Sequence, residues 1–371
     1  SGALFSIYKG KNDQDSLRSA IVHAFALIMA VTVLLNVLVY IGIDPILHFL
    51  RVPDEVWDGM KAYLLVIFAG IIATSLYNYF SCLLRALGNS TIPLVFLAVS
   101  AVLNIGLDLL FVAVLPWGIR GAALATVIAQ YVSGIGITLY VLLKCRDLLP
   151  SGKDLHFNRQ ILDEIGNLSS ITCIQQSVMN FGILMVQGLV NSFGPVIMAA
   201  FAAAVKIDTF AYLPVQDFGN AYSTFIAQNY GAGKKERIRR GTKESFLISF
   251  LFCIVISAVV CIFAAPLMRI FVSAKETAVI ASGVRYLRIE GAFYCGIGCL
   301  FLLYGLYRAL GKPGMSVVLT VISLGTRVAL AYLLSGLIGE VGIWVSIPIG
   351  WGLADLVGIL YYQARKSELM K

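Results

Sequence analysis

The chain has 371 residues, of which 59% are hydrophobic and 13% charged, against about 45–50% and about 25% in an ordinary soluble domain. A mean hydropathy of +0.87 excludes a soluble globular domain, a disordered segment and a collagen-like fibre, because too few charges remain to coat a water-facing surface. The net charge of +8 reads first as membrane topology and only then as attraction to nucleic acid, which the composition does not support.

The chain opens on Ser1-Gly2-Ala3-Leu4-Phe5, with no basic stretch and no cleavage site, and this reads as the tail of a helix, not as a signal peptide. A bilayer core about 30 Å thick needs about 20 apolar residues. Runs of that length lie near 19–43, 60–84, 91–115, 119–143, 168–192, 195–228, 245–266, 284–307, 314–338 and 341–363. The expected fold class is therefore an all-α integral membrane protein with ten transmembrane helices. The sixth run is over-long and holds Pro214, so a kink or an interfacial continuation is expected there.

Ten crossings place both termini on one side. Of the 28 Lys and Arg, nineteen fall on that side, seven on the other, and Lys206 and Arg327 lie inside spans. The positive-inside rule then expects both termini in the cytoplasm and the protein in the plasma membrane, a bacterial inner membrane in particular. The seven cysteines, 82, 145, 173, 253, 261, 295 and 299, contain no C-x-x-C pair and read as buried thiols without disulfides or metal. Three histidines, His23, His48 and His156, with no H-E-x-x-H and no Walker A loop, leave no catalytic constellation, no metal site, no cofactor and no ATP-driven step.

Self-comparison reveals a repeat. Arg85-Ala86-Leu87-Gly88 recurs as Arg308-Ala309-Leu310-Gly311, 223 positions further on, and Tyr63-Leu64 with Tyr286-Leu287 and Gly10-Lys11 with Gly233-Lys234 share that offset. Pro45 with Pro266 and Gly121 with Gly342 match at 221. Ordered matches at nearly one offset indicate duplication. Two copies of six helices are expected, and on that count about 67 residues precede Ser1 in an intact protein. The chain then divides into an N-terminal lobe over 1–145, a cytoplasmic connector over 146–167 and a C-terminal lobe over 168–371. Two parallel six-helix halves are one arrangement of secondary transporters with a central site.

Ionisable groups inside spans cost about 2.5–3.5 kcal/mol each on insertion scales and are functional by default. There are seven: Asp108, Lys206, Asp208, Asp217, Glu290, Arg327 and Asp355. Thr74, Asn78, Ser81 and Arg85 step along one helical face, as do Thr172, Gln176, Asn180, Gln187 and Asn191 with Gln175 alongside. Asn104 and Asp108 are one turn apart, Thr320, Ser323 and Arg327 align, and Glu290 stands between Tyr286 and Tyr294. Asp217 and Asp355 have no aligned polar stripe. Such stripes fit either a hydrated, substrate-bearing centre or interhelical hydrogen bonding without a substrate.

Four stretches resemble the multidrug and toxic compound extrusion (MATE) transporters: Gln228 to Lys234 (Q-N-Y-G-A-G-K), Leu84 to Pro93 (L-R-A-L-G-N-S-T-I-P), Leu103 to Asp108 (L-N-I-G-L-D) and Gly118 to Thr126 (G-I-R-G-A-A-L-A-T). The resemblance runs the whole length, with the first helix and most of the second absent. It implies a twelve-helix, two-lobed antiporter expelling small amphiphilic, often cationic compounds while protons or sodium ions run inward. Many members couple through an Asp on that first helix. Others use a Glu on the helix corresponding to 168–192, where this chain carries Gln175 and Gln176, amides that cannot titrate. Candidate substrate- or ion-binding residues are accordingly Glu290, Asp208, Asn104, Asp108, Asn78, Gln175, Gln176, Asn180, Arg327 and Tyr294. Tyr77, Tyr212 and Tyr286 offer further rings for a cation.

Two other readings stay open from sequence. A flippase for lipid-linked saccharides of the same superfamily would want several cations in its cavity, and only Lys206 and Arg327 lie within the spans. A chain without its first helices would be a non-transporting fragment.

Overall fold

The computed structural model describes residues 2–49, 54–148 and 158–369, and every α, π or 3-10 segment among them belongs to an all-helical array. The chain forms two compact units, Ser1–Ile165 and Gly166–Lys371. Residues 149–157 of the expected connector lie outside the described residues.

The first unit contains α1 (Gly2–Lys11), α2 (Gln14–Phe49), α3 (Asp54–Ala69), α4 (Ile71–Ala86), α5 (Thr91–Asp108) and α6 (Gly118–Lys144), and α7 (Arg159–Asn191) starts in it. Side-chain caps start α2 and α7. Asp13 Oδ1 accepts from Ser16 N at 3.0 Å and Asn158 Oδ1 from Ile161 N at 3.2 Å, satisfying amides that the first turn leaves without partners. Hydrogen bonds from Ser16 hold the Asp13 carboxyl below the usual range. The second unit continues with α8 (Pro195–Gly231), α9 (Lys235–Ile262), α10 (Ala264–Phe271), α11 (Thr277–Gly291), α12 (Tyr294–Ala309), α13 (Pro313–Ile338) and α14 (Glu340–Leu369).

Among the described residues nine stretches are long and apolar enough to cross a membrane, and α11 with α12, bent by 51°, makes a tenth when taken as one span. Leu34, Leu38 and Ile41 of α2 and Leu247, Leu251 and Val255 of α9 are exposed, which is stable only against lipid. Helix α8 runs unbroken through Pro214. Its 37 residues span about 55 Å at 1.5 Å each, so the length beyond a bilayer core is carried by the same helix. The thiols differ from expectation: Cys253 is buried, Cys173 is exposed and the other five are half-buried.

The repeat is visible in how helices end. After α4, Gly88 takes φ 94° and Asn89 N reaches back to Leu84 O at 2.8 Å; after α12, Gly311 takes φ 71° and Lys312 N reaches Tyr307 O at 2.8 Å. Both are left-handed Schellman endings that favour glycine, which explains why R-A-L-G occurs twice. One match does not survive. Gly233 (φ 67°) ends α8 with Lys234 N bonded to Asn229 O, but Gly10 lies inside α1 and the equivalent turn uses Asn12 (φ 58°), with Asp13 N bonded to Tyr8 O. The structural offset at that turn is 221, since Asn also tolerates the left-handed region.

Helix α3 gives way to α4 at Gly70, and three side chains take up carbonyls beside the break. Tyr131 Oη donates to Ala69 O at 2.9 Å, Asn36 Nδ2 to Phe68 O at 2.6 Å and Tyr40 Oη to Leu65 O at 2.7 Å. In lipid a freed carbonyl has no water to turn to. Tyr131→Phe is expected to cost about 1–2 kcal/mol, read as a lower melting midpoint of the purified protein; an unchanged midpoint would show the break needs no such cap.

Close approach by small residues packs both units. A Cβ on Gly134 of α6 would sit 2.4 Å from Ala73 O of α4, and one on Gly350 of α14 would sit 2.4 Å from Ser323 O of α13. In the second unit α12 is the central helix, packed on α8, α9, α13 and α14.

Candidate functional site

The break between α11 and α12 lies at Ala292 and Phe293, so Glu290 stands in the last turn of one helix and Tyr294 begins the next. The bend aims both toward α8. Tyr294 Oη donates a short hydrogen bond to Asp208 Oδ1. The Glu290 and Asp208 carboxyls stand within hydrogen-bonding reach of each other, and the Tyr286 hydroxyl is in reach of both. The Arg327 guanidinium of α13 acts electrostatically on both carboxylates and on Tyr212. Thus α8, α11, α12 and α13 each contribute to one buried polar cluster.

Its walls are aromatic. Trp344, fully buried, stacks on Phe201 with centroids 5.5 Å apart and planes 6° apart, and Tyr286 meets both rings edge-on at 4.9 and 5.5 Å. Tyr212 meets Phe301 at 4.9 Å. These rings exclude water and strengthen each charge interaction inside.

The cluster is short of donors. Asp208 is 8% exposed and Glu290 7%. Asp208 Oδ2 and Glu290 Oε2 are buried without a hydrogen-bond partner, as is Arg327 Nε. With both ionised, two carboxylates against one guanidinium leave one surplus negative charge. A buried pair of acceptors facing each other is relieved by a proton shared between them or by a cation bound to both.

The other sequence candidates divide. Gln175 is buried, and its Nε2 donates to Thr320 Oγ1 at 3.1 Å, so it links α7 to α13 in the second unit. Gln176 and Asn180 are exposed, as is Asn78; periodicity placed them on one face without saying what that face meets. Tyr77 is tied to Pro93 O at 2.9 Å. Lys206 is exposed beside the Phe271 ring at 5.7 Å, and Asp217 is exposed, so neither joins the cluster. In the first unit Asn104 Nδ2 meets Thr126 Oγ1 at 3.5 Å, and Asp108 Oδ1 is buried without a partner at the point where α5 passes into a π-helical segment, Leu109–Val114. Thr126 was not singled out from sequence, although it closes the G-I-R-G-A-A-L-A-T stretch. Asp355, which has no aligned polar stripe, is 8% exposed with Oδ1 unpartnered.

Comparison with known proteins bears on the whole array. The family model described as MatE matches residues 2–110 and 171–333. The chain is 29% identical over 369 residues to the probable multidrug resistance protein YpnP of Bacillus subtilis (strain 168), covering 99% of this chain and 82% of that protein. It is 25% identical over 369 residues to the probable multidrug resistance protein NorM of Thermotoga maritima, covering 97% and 78%. The crystal structure of a mutant of the Vibrio cholerae MATE transporter VcmN superposes with a TM-score of 0.93 at 23% identity, covering 100% of this chain and 84% of that one.

Proposed function

The chain belongs to the MatE family of membrane transporters, which are not enzymes, and from that premise we propose that it is a secondary antiporter exporting small amphiphilic, often cationic compounds in exchange for protons or sodium ions. The observation that carries the reading is the buried Asp208–Glu290 pair set against a single guanidinium, with one oxygen of each carboxyl lacking a hydrogen-bond partner. With the pair ionised, the site attracts a lipophilic cation; a proton or sodium ion on the pair cancels that attraction, and the two ligands exclude one another. Glu290 and Tyr294 flank the α11–α12 break, so a change of charge at the pair acts on the bend itself. The names of the relatives YpnP and NorM support the multidrug cargo. Asn104, Asp108 and Thr126 form a second, weaker ion site of the first unit. Both termini lie in the cytoplasm of a plasma-membrane protein, in line with the basic residues.

The test is dye accumulation in cells lacking their own exporters, with and without the full chain, at two pH values and with or without sodium. Lower accumulation that depends on pH or sodium is expected, and the dependence names the ion. Undiminished accumulation despite normal membrane insertion would overturn the reading and favour the lipid-linked cargo.

A further inference from the structure

We propose that Asp355 is a second proton-binding carboxyl of the Gly166–Lys371 unit, separate from the Asp208–Glu290 pair and set against Cys299. Asp355 sits on the buried face of α14, 8% exposed, with Oδ1 lacking any hydrogen-bond partner. Helix α12 approaches it at Gly296, where a Cβ would stand 3.7 Å from Asp355 Oδ2 and 3.3 Å from Trp351 Cβ. Glycine there lets the two backbones close over the carboxyl.

The helices packed on α14 are α11, α12 and α13. From α12, Cys299 faces Asp355 with its thiol in hydrogen-bonding reach, and Tyr304 feels its charge. Among the described residues no ionisable group of α11 or α13 acts on it, and no cationic side chain does so from any element. Arg327, which neutralises part of the Asp208–Glu290 charge, does not act on Asp355. A carboxylate this deep without a counter-charge is unstable in an apolar surround. A proton fits where a metal ion does not. Sodium, like other hard cations, wants several oxygen ligands, and here one carboxyl is faced by sulfur. Protonation turns an oxygen that lacks a donor into a donor.

The site stands whether or not the Asp208–Glu290 pair couples transport, and infrared difference spectroscopy separates the two. The purified full chain in lipid is taken from about pH 6 to about pH 9, bracketing the range in which shifted carboxyls titrate. The expected spectrum loses a protonated carboxyl band and gains a carboxylate band, and Asp355→Asn removes one carboxyl's share of both. Cys299→Ala shifts the frequency of that share, because the thiol is its neighbour, and this variant serves if Asp355→Asn does not fold. The share persists in Asp208→Asn and in Glu290→Gln, and adding sodium at fixed pH leaves it in place. Spectra of Asp355→Asn and Cys299→Ala that superimpose on the unsubstituted protein would overturn the proposal, as would conversion of that share by sodium at constant pH.

Discussion

Glu290→Gln in the full chain is expected to reduce efflux to the level of cells without the exporter, a loss of at least about tenfold in rate, with membrane abundance unchanged. The amide has the shape of the acid and keeps a hydrogen-bonding oxygen, so the turn that ends α11 survives. What changes is charge. Asp208 is then opposed by Arg327 alone, the surplus negative charge disappears, and neither a lipophilic cation nor a coupling ion has anything to compete for. Asp208→Asn removes the same charge and leaves Tyr294 only a neutral amide oxygen in place of a carboxylate as acceptor, so its effect is expected to be at least as large. Asp217→Asn, on an exposed carboxyl of the same helix, should leave efflux as it was. Efflux unchanged in Glu290→Gln would remove the pair from the transport cycle.

The second large effect is on stability. Gly350→Leu is expected to lower stability by several kcal/mol and Gly350→Ala by about 1–3 kcal/mol, because overpacking a closed contact forces the backbones apart. A Cβ there lies 2.4 Å from Ser323 O and 3.3 Å from Ser323 C. The obstacle is backbone, which cannot rotate aside as the end of a flexible side chain can. Gly134, whose Cβ would lie 2.4 Å from Ala73 O, should behave alike in the first unit. Gly325→Ala is the matched control, as nothing stands within 4 Å of its Cβ. Melting midpoints followed by size-exclusion chromatography would check the series. Equal midpoints for Gly350→Ala and Gly325→Ala would show that α13 and α14 pack less closely than the structure has them.

The spans were legible because lipid demands about 20 apolar residues per crossing, a constraint that charged and polar punctuation marks out along the chain. The R-A-L-G endings were legible because left-handed turns select glycine. The break at Gly70 was not, since a glycine within an apolar run looks the same whether the helix continues or stops, and the side chains that cap the stop come from Asn36, Tyr40 and Tyr131 on other helices. For the candidate site, the periodicity gave the face on which each residue lies but not its neighbour. Asp208 and Glu290 are 82 positions apart, and only the 51° bend turns Glu290 and Tyr294 toward the same carboxyl. Gln176 and Asn180 show the opposite case, a regular stripe that the structure leaves exposed. Asp355 lacked a stripe because its surroundings are apolar, and that is what isolates it.

The most direct test of the carboxyl pair is ion release on substrate binding. Tetraphenylphosphonium, a lipophilic cation, is titrated into the purified full chain in weak buffer while pH and free sodium are recorded. The surplus of one negative charge at Asp208, Glu290 and Arg327 gives an expected release of about one proton or one sodium ion per cation bound, lost in Glu290→Gln. Binding with no release of either ion, or the same release from Glu290→Gln, would contradict a shared site at this pair.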